Sequence, residues 1–417
     1  MEEKSLAKDQ TELLTELKNG SNSFSLIGKV KLVEGGFSGA VQKEKSNWLG
    51  VNSKFGVEIS DGNVIYPAVR GGYMLDNPVL KKFGKDKGTG LVSIPYAKRH
   101  DENVLSGLAQ YVFMRGAISK DETGRPEVKK FIDAIDFEAY LAENLYDGMD
   151  VKVNGNVEYS PGKEDEVYRN YTVTSIYLNE EYKKNEEVVP QAEPRAIIHQ
   201  TYVFDEDVLD KKTWKKDFQS EGQVVLTMYA PQYISKRKVG DTYVEWKKVM
   251  PLRQNVYIKG DPTDEKSLKL TEGLIKRLFT LKEGVVRELT INSVINEGYT
   301  TQTGDFEISK DMQELINLGL ISEEEVKKSA TVRGSRTSEL IFLTPATNVT
   351  DDGEITISMD DEKYAPEVLF TPDVDSDKET EAFTKNSEPV ATKEVDDAYG
   401  ETENEGFDSV SFEDMFQ

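Results

Sequence analysis

The chain has no cysteine and only two histidines, His100 and His199, among its 417 residues. This excludes disulfides, thiolate metal sites and cysteine nucleophiles, and leaves too few imidazoles for a multi-histidine metal centre. Long apolar runs are missing as well. None approaches the roughly 20 residues needed to span a bilayer, and Met1-Glu-Glu-Lys4 has neither the basic nor the apolar region of a signal peptide. A cytoplasmic protein with no membrane partner is the expectation. The patterns Gly-x-x-x-x-Gly-Lys-[Ser/Thr] and Gly-x-Gly-x-x-Gly are absent, and Gly84-Lys-Asp-Lys-Gly88-Thr-Gly90 is lysine-rich without phosphate-cradle spacing. Asp373-x-Asp375-x-Asp377 opens like a calcium loop, but Lys378 stands where glycine is required and Thr384 where the bidentate glutamate belongs. No carboxylate spacing selects a two-metal centre. The expectation is a binding protein, not an enzyme, with no cofactor and no metal.

Positive charge is scarce overall: 52 Lys and Arg face 76 Asp and Glu, a net of −24. Such a balance argues against a nucleic-acid partner, because phosphate binding is driven by cations that release condensed counterions. The deficit is segregated, however. Residues 351–417 hold 22 acids against Lys363, Lys378, Lys385 and Lys393, a local net of −18, so the preceding body is close to neutral. From Asp351 onward Asp, Glu, Ser, Thr and Pro dominate. That composition buries too little surface to offset chain entropy, and a disordered acidic tail over 351–417 is expected.

Single domains mostly run to about 100–200 residues, so the body has room for two. Leu6, Leu13, Leu14 and Leu17 predict an amphipathic helix within 1–22, ended by Asn19-Gly20-Ser21-Asn22. The period then switches to two. Phe24, Leu26, Val30 and Leu32 alternate with Lys29 and Lys31, and Val51, Phe55, Val57 and Ile59 with Asn52, Lys54 and Glu58, as in strands with one buried face. Asp61-Gly62 is a hairpin signal leading to Val64–Val69. Residues 71–126 are rich in Lys and Gly and form an insertion containing two strand-like runs, 90–96 and 108–117. Lys130–Phe137 reads as a strand, Glu138–Asp147 as a helix closed by Gly148, and 151–159 and 168–178 as closing strands. That order predicts an OB-fold, a five-stranded Greek-key barrel, over 23–182. The charged, two-proline segment Lys183–Pro194 marks a boundary. Strands at 196–204, 223–234, 242–249, 254–259 and 285–295, with a helix at 268–281, outline a second β-rich, OB-like domain over 195–346. The fold class is mainly β with some α.

If the apolar sets point into the first barrel, Lys29, Lys31, Trp48 and Lys54 point out, and Arg70 joins them at the end of the third run. A tryptophan beside outward cations suits single-stranded nucleic acid: the cations track phosphates and the ring stacks on a base, worth about 1–3 kcal/mol. Further cations cluster in loops: Lys81-Lys82 with Lys85 and Lys87; Lys98-Arg99-His100 after Tyr96; Lys211-Lys212-Thr213-Trp214-Lys215-Lys216; Lys236-Arg237-Lys238; and Trp246-Lys247-Lys248. Four of these five clusters include or adjoin an aromatic residue, the combination that closes over unpaired bases. A solvated face, with Trp48 covering the barrel end, is the plainer alternative.

Phe131 to Tyr159, with Phe137, Ala142-Glu143, Gly148 and Val151-Lys-Val-Asn-Gly-Asn-Val157, resembles the corresponding part of bacterial and phage single-stranded DNA-binding proteins. The tip, Glu405–Gln417, sets Phe407, Phe412 and Phe416 among Asp408, Glu413 and Asp414 and is similar to the acidic, aromatic-ended tips of that family. The resemblance implies sequence-nonspecific binding of single-stranded DNA in replication and recombination. It also implies a tip that docks on replication and repair proteins and competes with DNA for the groove. Gln417 departs from the family pattern, in which the chain ends on Pro-Phe, and puts in doubt any partner that reads the terminal carboxylate. A β-rich structural or assembly protein, such as a virion component with a solubilising tail, stays open as the alternative.

Overall fold

A computed structural model describes residues 13–42, 47–86, 88–122, 124–161, 167–184, 187–239, 242–302, 332–350 and 352–370. The chain is mainly β. Alternating apolar residues set the first strands, β1 (Asn22–Lys31), β2 (Val41–Gln42) and β3 (Trp48–Lys54). β4 (Gly56–Ser60) continues β3 past the buried Phe55. The Asp61-Gly62 turn, with Gly62 in the left-handed region at φ 78°, leads to β5 (Asn63–Ile65) and β6 (Ala68–Met74). The stretch read as an insertion begins inside β6. It adds the hairpin β7 (Val79–Phe83) and β8 (Leu91–Pro95), the short helix α1 (Glu102–Ser106) and β9 (Met114–Ala117). Leu80, Ile94, Leu108, Phe113 and Ile132 give this region a small core of its own.

β10 (Lys129–Phe131) is short, and α2 (Ala134–Asn144) starts where the sequence alternation suggests a strand running to Phe137. The cap explains the difference. Asp133 Oδ1 accepts from the amides of Ile135 at 3.0 Å and Asp136 at 3.1 Å, and Phe137, Tyr140 and Leu141 then fall on one buried helical face. β11 (Asp150–Pro161) and β12 (Val167–Leu178) follow. β1 pairs with β4, β3 with β6, β6 with β12 in parallel, β12 with β11, and β11 returns to β1.

The proline-bearing linker carries a hairpin, β13 (Tyr182–Lys184) and β14 (Glu187–Val189). Beyond it come β15 (Arg195–Phe204), α3 (Trp214–Glu221), β16 (Gln223–Val239), β17 (Thr242–Lys259) and α4 (Glu265–Leu278). β18 (Val286–Gln302) and β19 (Val332–Pro345) complete this half. A second circuit closes here: β15 pairs with β16, β16 with β17, β17 with β19 in parallel, β19 with β18, and β18 with β15. The two circuits share hydrogen bonds, since Asn22–Ile27 of β1 lie antiparallel to Gln200–Arg195 of β15. β1 is paired on both edges and, by the burial of its side chains, covered on both faces. Ile27 and Ser25 are buried along with Phe24 and Leu26, where the alternation predicts one solvated face, and Leu32 lies exposed past the strand end.

Both ends of the body depart from expectation. From Leu13 to Ser21 the chain is not helical. Leu14 instead bridges Tyr364, with Leu14 N donating to Lys363 O and Ala365 N to Leu14 O, each at 2.9 Å. The remainder of the expected helix lies outside the described residues. The acidic stretch after Asp351 contains β21 (Ile355–Ile357), paired with β20 (Thr347–Val349), and β22 (Met359–Tyr364), paired with β18. The expectation of no fixed structure is thus overturned for 352–370, and residues 371–417 lie outside the description. Arg287 anchors this segment. Its guanidinium donates to both oxygens of Asp361, at 2.5 and 2.6 Å, and to Leu278 O at the end of α4. Tyr364, Leu17, Val203, Val286 and Val368 pack into one cluster. Among the described residues no helix is long and apolar enough to cross a membrane.

Tyr364 is 1% exposed. Tyr364→Ala is expected to destabilise the protein by about 3–5 kcal/mol, the range for large buried aromatics, read from urea denaturation. A loss near zero would show that this segment does not belong to the cooperative fold.

Candidate nucleic-acid interface

The register of β3 with β6 sets Trp48 opposite Met74, Gly50 opposite Gly72, Asn52 opposite Arg70 and Lys54 opposite Ala68. Val51 and Ser53 are buried, so the alternation places Trp48, Asn52 and Lys54 on the other face, with Arg70 beside Asn52. The glycines let this ribbon close up. A Cβ on Gly50 would stand 2.4 Å from Gly71 O and 2.7 Å from Trp48 Nε1, and one on Gly72 would stand 2.1 Å from Leu49 O. The indole therefore lies folded across Gly50. A groove of about 690 Å³ runs over the ribbon, lined by Trp48, Asn52, Arg70 and, on the far wall, Ser38 and Gly39. That wall is held from below, where Glu138 accepts from Gly39 N at 3.1 Å and from Ser53 Oγ at 2.7 Å.

Arg70 is fixed without being neutralised. Its Nε donates to Asn52 Oδ1 at 3.0 Å and its Nη2 to Asn170 Oδ1 at 3.2 Å, both neutral amides. The planar guanidinium forms no ion pair among the described residues and lies at the groove surface, a geometry suited to a phosphate or to stacking on a base.

Past Arg70 and Gly71 a second cavity of about 320 Å³ opens, bordered by Lys81 and Lys82 of β7, Thr172 and Thr174 of β12, and Tyr111. Tyr111 sits on the 3-10 turn Gln110–Val112 and is 72% exposed. Burial lowers the Lys82 ammonium from its ordinary value, and the Asp133 charge offsets part of that effect. Burial likewise raises the Asp133 carboxyl. Its Oδ2 has no hydrogen-bond partner, and Arg99 Nε stands 3.6 Å away. For Asp136 burial acts upward, but hydrogen bonds from Arg99, at 2.7 and 3.2 Å, help hold the carboxyl below its ordinary value. Arg99 also lies 4.1 Å over the Tyr96 ring, which packs tilted by 32° against Tyr73, ring centres 4.0 Å apart. The Tyr96 phenol is pushed well up, by burial and by Asp133.

The structure thus brings Trp48 and Arg70 into one groove, with Lys54 further along the same ribbon face. It places the other residues elsewhere or ties them down. Lys29 is exposed but faces Glu58 and Asp150 across the register, and Lys31 pairs with Glu58 at 3.2 Å. Tyr96 and Arg99 serve the Asp133–Asp136 corner, with Lys98 exposed beside them. Trp214 packs on the core while Lys215 bonds Glu272 at 2.6 Å, linking α3 to α4. Trp246 is half-buried against the same core, and Lys247, left-handed at φ 49°, pairs with Glu245 at 3.0 Å. Lys236 is exposed opposite Glu245. The Arg237 side chain and the tip residues Phe407, Asp408, Phe412, Glu413, Asp414 and Phe416 lie outside the described residues. Asn52 and Tyr111 were not singled out from the sequence, and Lys81 and Lys82 appeared there only as one loop cluster among five. The signal that points to this face is Gly71-Gly72 inside a strand, which marks close approach of a ligand or a second backbone.

Among the described residues no group of three or more His, Cys, Asp or Glu is arranged to hold a metal ion. No family model matches the chain, and no curated protein matches it. Among solved structures, a deletion mutant of the single-stranded DNA binding protein from Thermus aquaticus aligns at 11% identity and a TM-score of 0.23, covering 67% of this chain and 88% of that one.

Arg99→Leu should destabilise the protein at neutral pH by about 1.5–3 kcal/mol, the range for hydrogen bonds to charged groups. The Asp136 pKa is depressed in the folded state, so its contribution is present above the unfolded value and lost as pH falls through the folded one. The gap between wild type and variant should therefore shrink below about pH 4. Urea denaturation at both pH values measures this, and a gap independent of pH would contradict the ion-pair account.

Proposed function

We propose that this protein binds single-stranded DNA through the face built on β3, β6 and β7, without making or breaking bonds. The observation that carries this reading is Arg70, held flat by two neutral amides beside Trp48, in a groove that leads to Lys81, Lys82 and Tyr111. Cations that retain their charge attract the backbone, while aromatic rings accept bases of any sequence. Two circuits, each with a helix between its third and fourth strands and a parallel closure between its third and fifth, support an OB-fold for both halves. On this reading the protein acts in DNA replication and recombination in the cytoplasm. The acidic segment, ending in Phe407, Phe412 and Phe416, is its docking element for replication proteins and a competitor for the groove.

Fluorescence anisotropy with labelled oligonucleotides tests the reading. Affinity for a single strand should exceed that for duplex and fall linearly with log salt. Trp48→Ala should lose about 1–3 kcal/mol of binding, whereas Lys215→Gln, whose ammonium already bonds Glu272, should leave affinity near that of wild type. Equal affinity for duplex, or no binding at low salt, would defeat the reading.

A further inference from the structure

Lys82 occupies a position that the fold does not explain. It shares a strand face with Leu80, which packs into the small core beside Ile132, and it faces Asp133 at the start of α2. A helix N-terminus favours negative charge, so a cation there gains nothing from the helix. The side chain is half-buried, yet its ammonium makes no hydrogen bond among the described residues, and Asp133 is the charge that faces it. A half-buried ammonium loses part of its hydration, and an acceptor on a ligand seated in the cavity would replace it. Around it lie the elements of a nucleotide site. The cavity of about 320 Å³ falls at the small end of ligand pockets, which run from about 300 to 1,000 Å³. Tyr111 offers an exposed ring at its border, and Gly71 and Gly72 contribute backbone to its lining.

We propose that this cavity receives one base turned out of the strand, stacked on Tyr111, with Lys82 donating to an acceptor on its edge. The inference rests on the single-stranded-DNA reading and adds selectivity to it. An ammonium favours a carbonyl oxygen. Thymine, guanine and cytosine carry one and adenine does not, so one position of the bound strand discriminates against adenine. The Asp133 charge offsets part of the lowering that burial imposes on the Lys82 amine.

Lys82→Met retains the apolar stem and removes the donor. A base contact and a phosphate contact then part company. If Lys82 reads a base, the variant weakens binding to oligo-dT by about fivefold or more, leaves oligo-dA within twofold of wild type, and keeps the salt slope. Equal loss on both strands, with the salt slope reduced by about one, would make Lys82 a phosphate ligand and overturn the proposal while the single-strand reading stands. Failure of the wild type to bind either strand would remove both. A second measurement needs no variant: photo-crosslinking of the intact protein to a 5-iodouracil oligonucleotide should place an adduct on Tyr111. Adducts confined to Trp48 or to the second half would overturn the proposal.

Discussion

The structure depends on β1 having no free edge. Asn22–Lys31 hydrogen-bonds to β11 on one side and to β15 and then β4 on the other, so a strand of the first circuit is paired directly to the first strand of the second. Burying a strand on both faces and pairing both edges satisfies its backbone groups without water, and it couples the halves through a continuous sheet. The same constraint fixes β4, and through the Phe55 bend it fixes β3. The outer face of β3 is therefore positioned by the most completely buried part of the molecule, which is the condition a preorganised binding surface requires.

Charge placement follows from that arrangement. An acidic protein with scattered lysines offers many candidate anion sites, but several of the cations in its aromatic-basic clusters and strands are paired internally: Lys31 with Glu58, Arg99 with Asp136, Lys215 with Glu272, Lys247 with Glu245, and Arg287 with Asp361. Arg70 is oriented by amides instead, and the ammonium of Lys82 makes no hydrogen bond among the described residues. What distinguishes the candidate face is therefore the kind of partner its cations have, rather than their number. The neutral fixing groups, Asn52 and Asn170, matter as much as the cation.

Much of the local structure was legible in the sequence. The period-two pattern of 48–59 set Trp48 and Lys54 outward because β3 has one buried face. The same rule misled for β1, since Ile27 is buried on the face opposite Leu26, in a strand whose edge is taken by β15 more than 160 residues away, and no local pattern reveals either. The leucines at 13, 14 and 17 keep helical spacing, but Leu14 is taken up by backbone pairing with Tyr364. Asp133 begins α2 as a cap although the flanking residues alternate like a strand. Composition hid the strands of 355–364, where Ile355, Ile357 and Met359 alternate within an acidic stretch that gains order from β18 and Arg287. At the site, alternation points to Trp48 and Lys54, and Arg70 follows the apolar run that ends at Val69. Tyr111 was not found, because it stands on a turn within a run that reads as a strand.

Hydrogen exchange on the full chain, with and without a saturating oligo-dT strand, tests the central claim most directly. The account predicts that added protection concentrates in residues 48–52, 68–74, 79–83 and 110–114, where the groove and the second cavity meet. Protection confined to the β16–β17 ribbon, or no change in β3 and β6 under saturation, would contradict it.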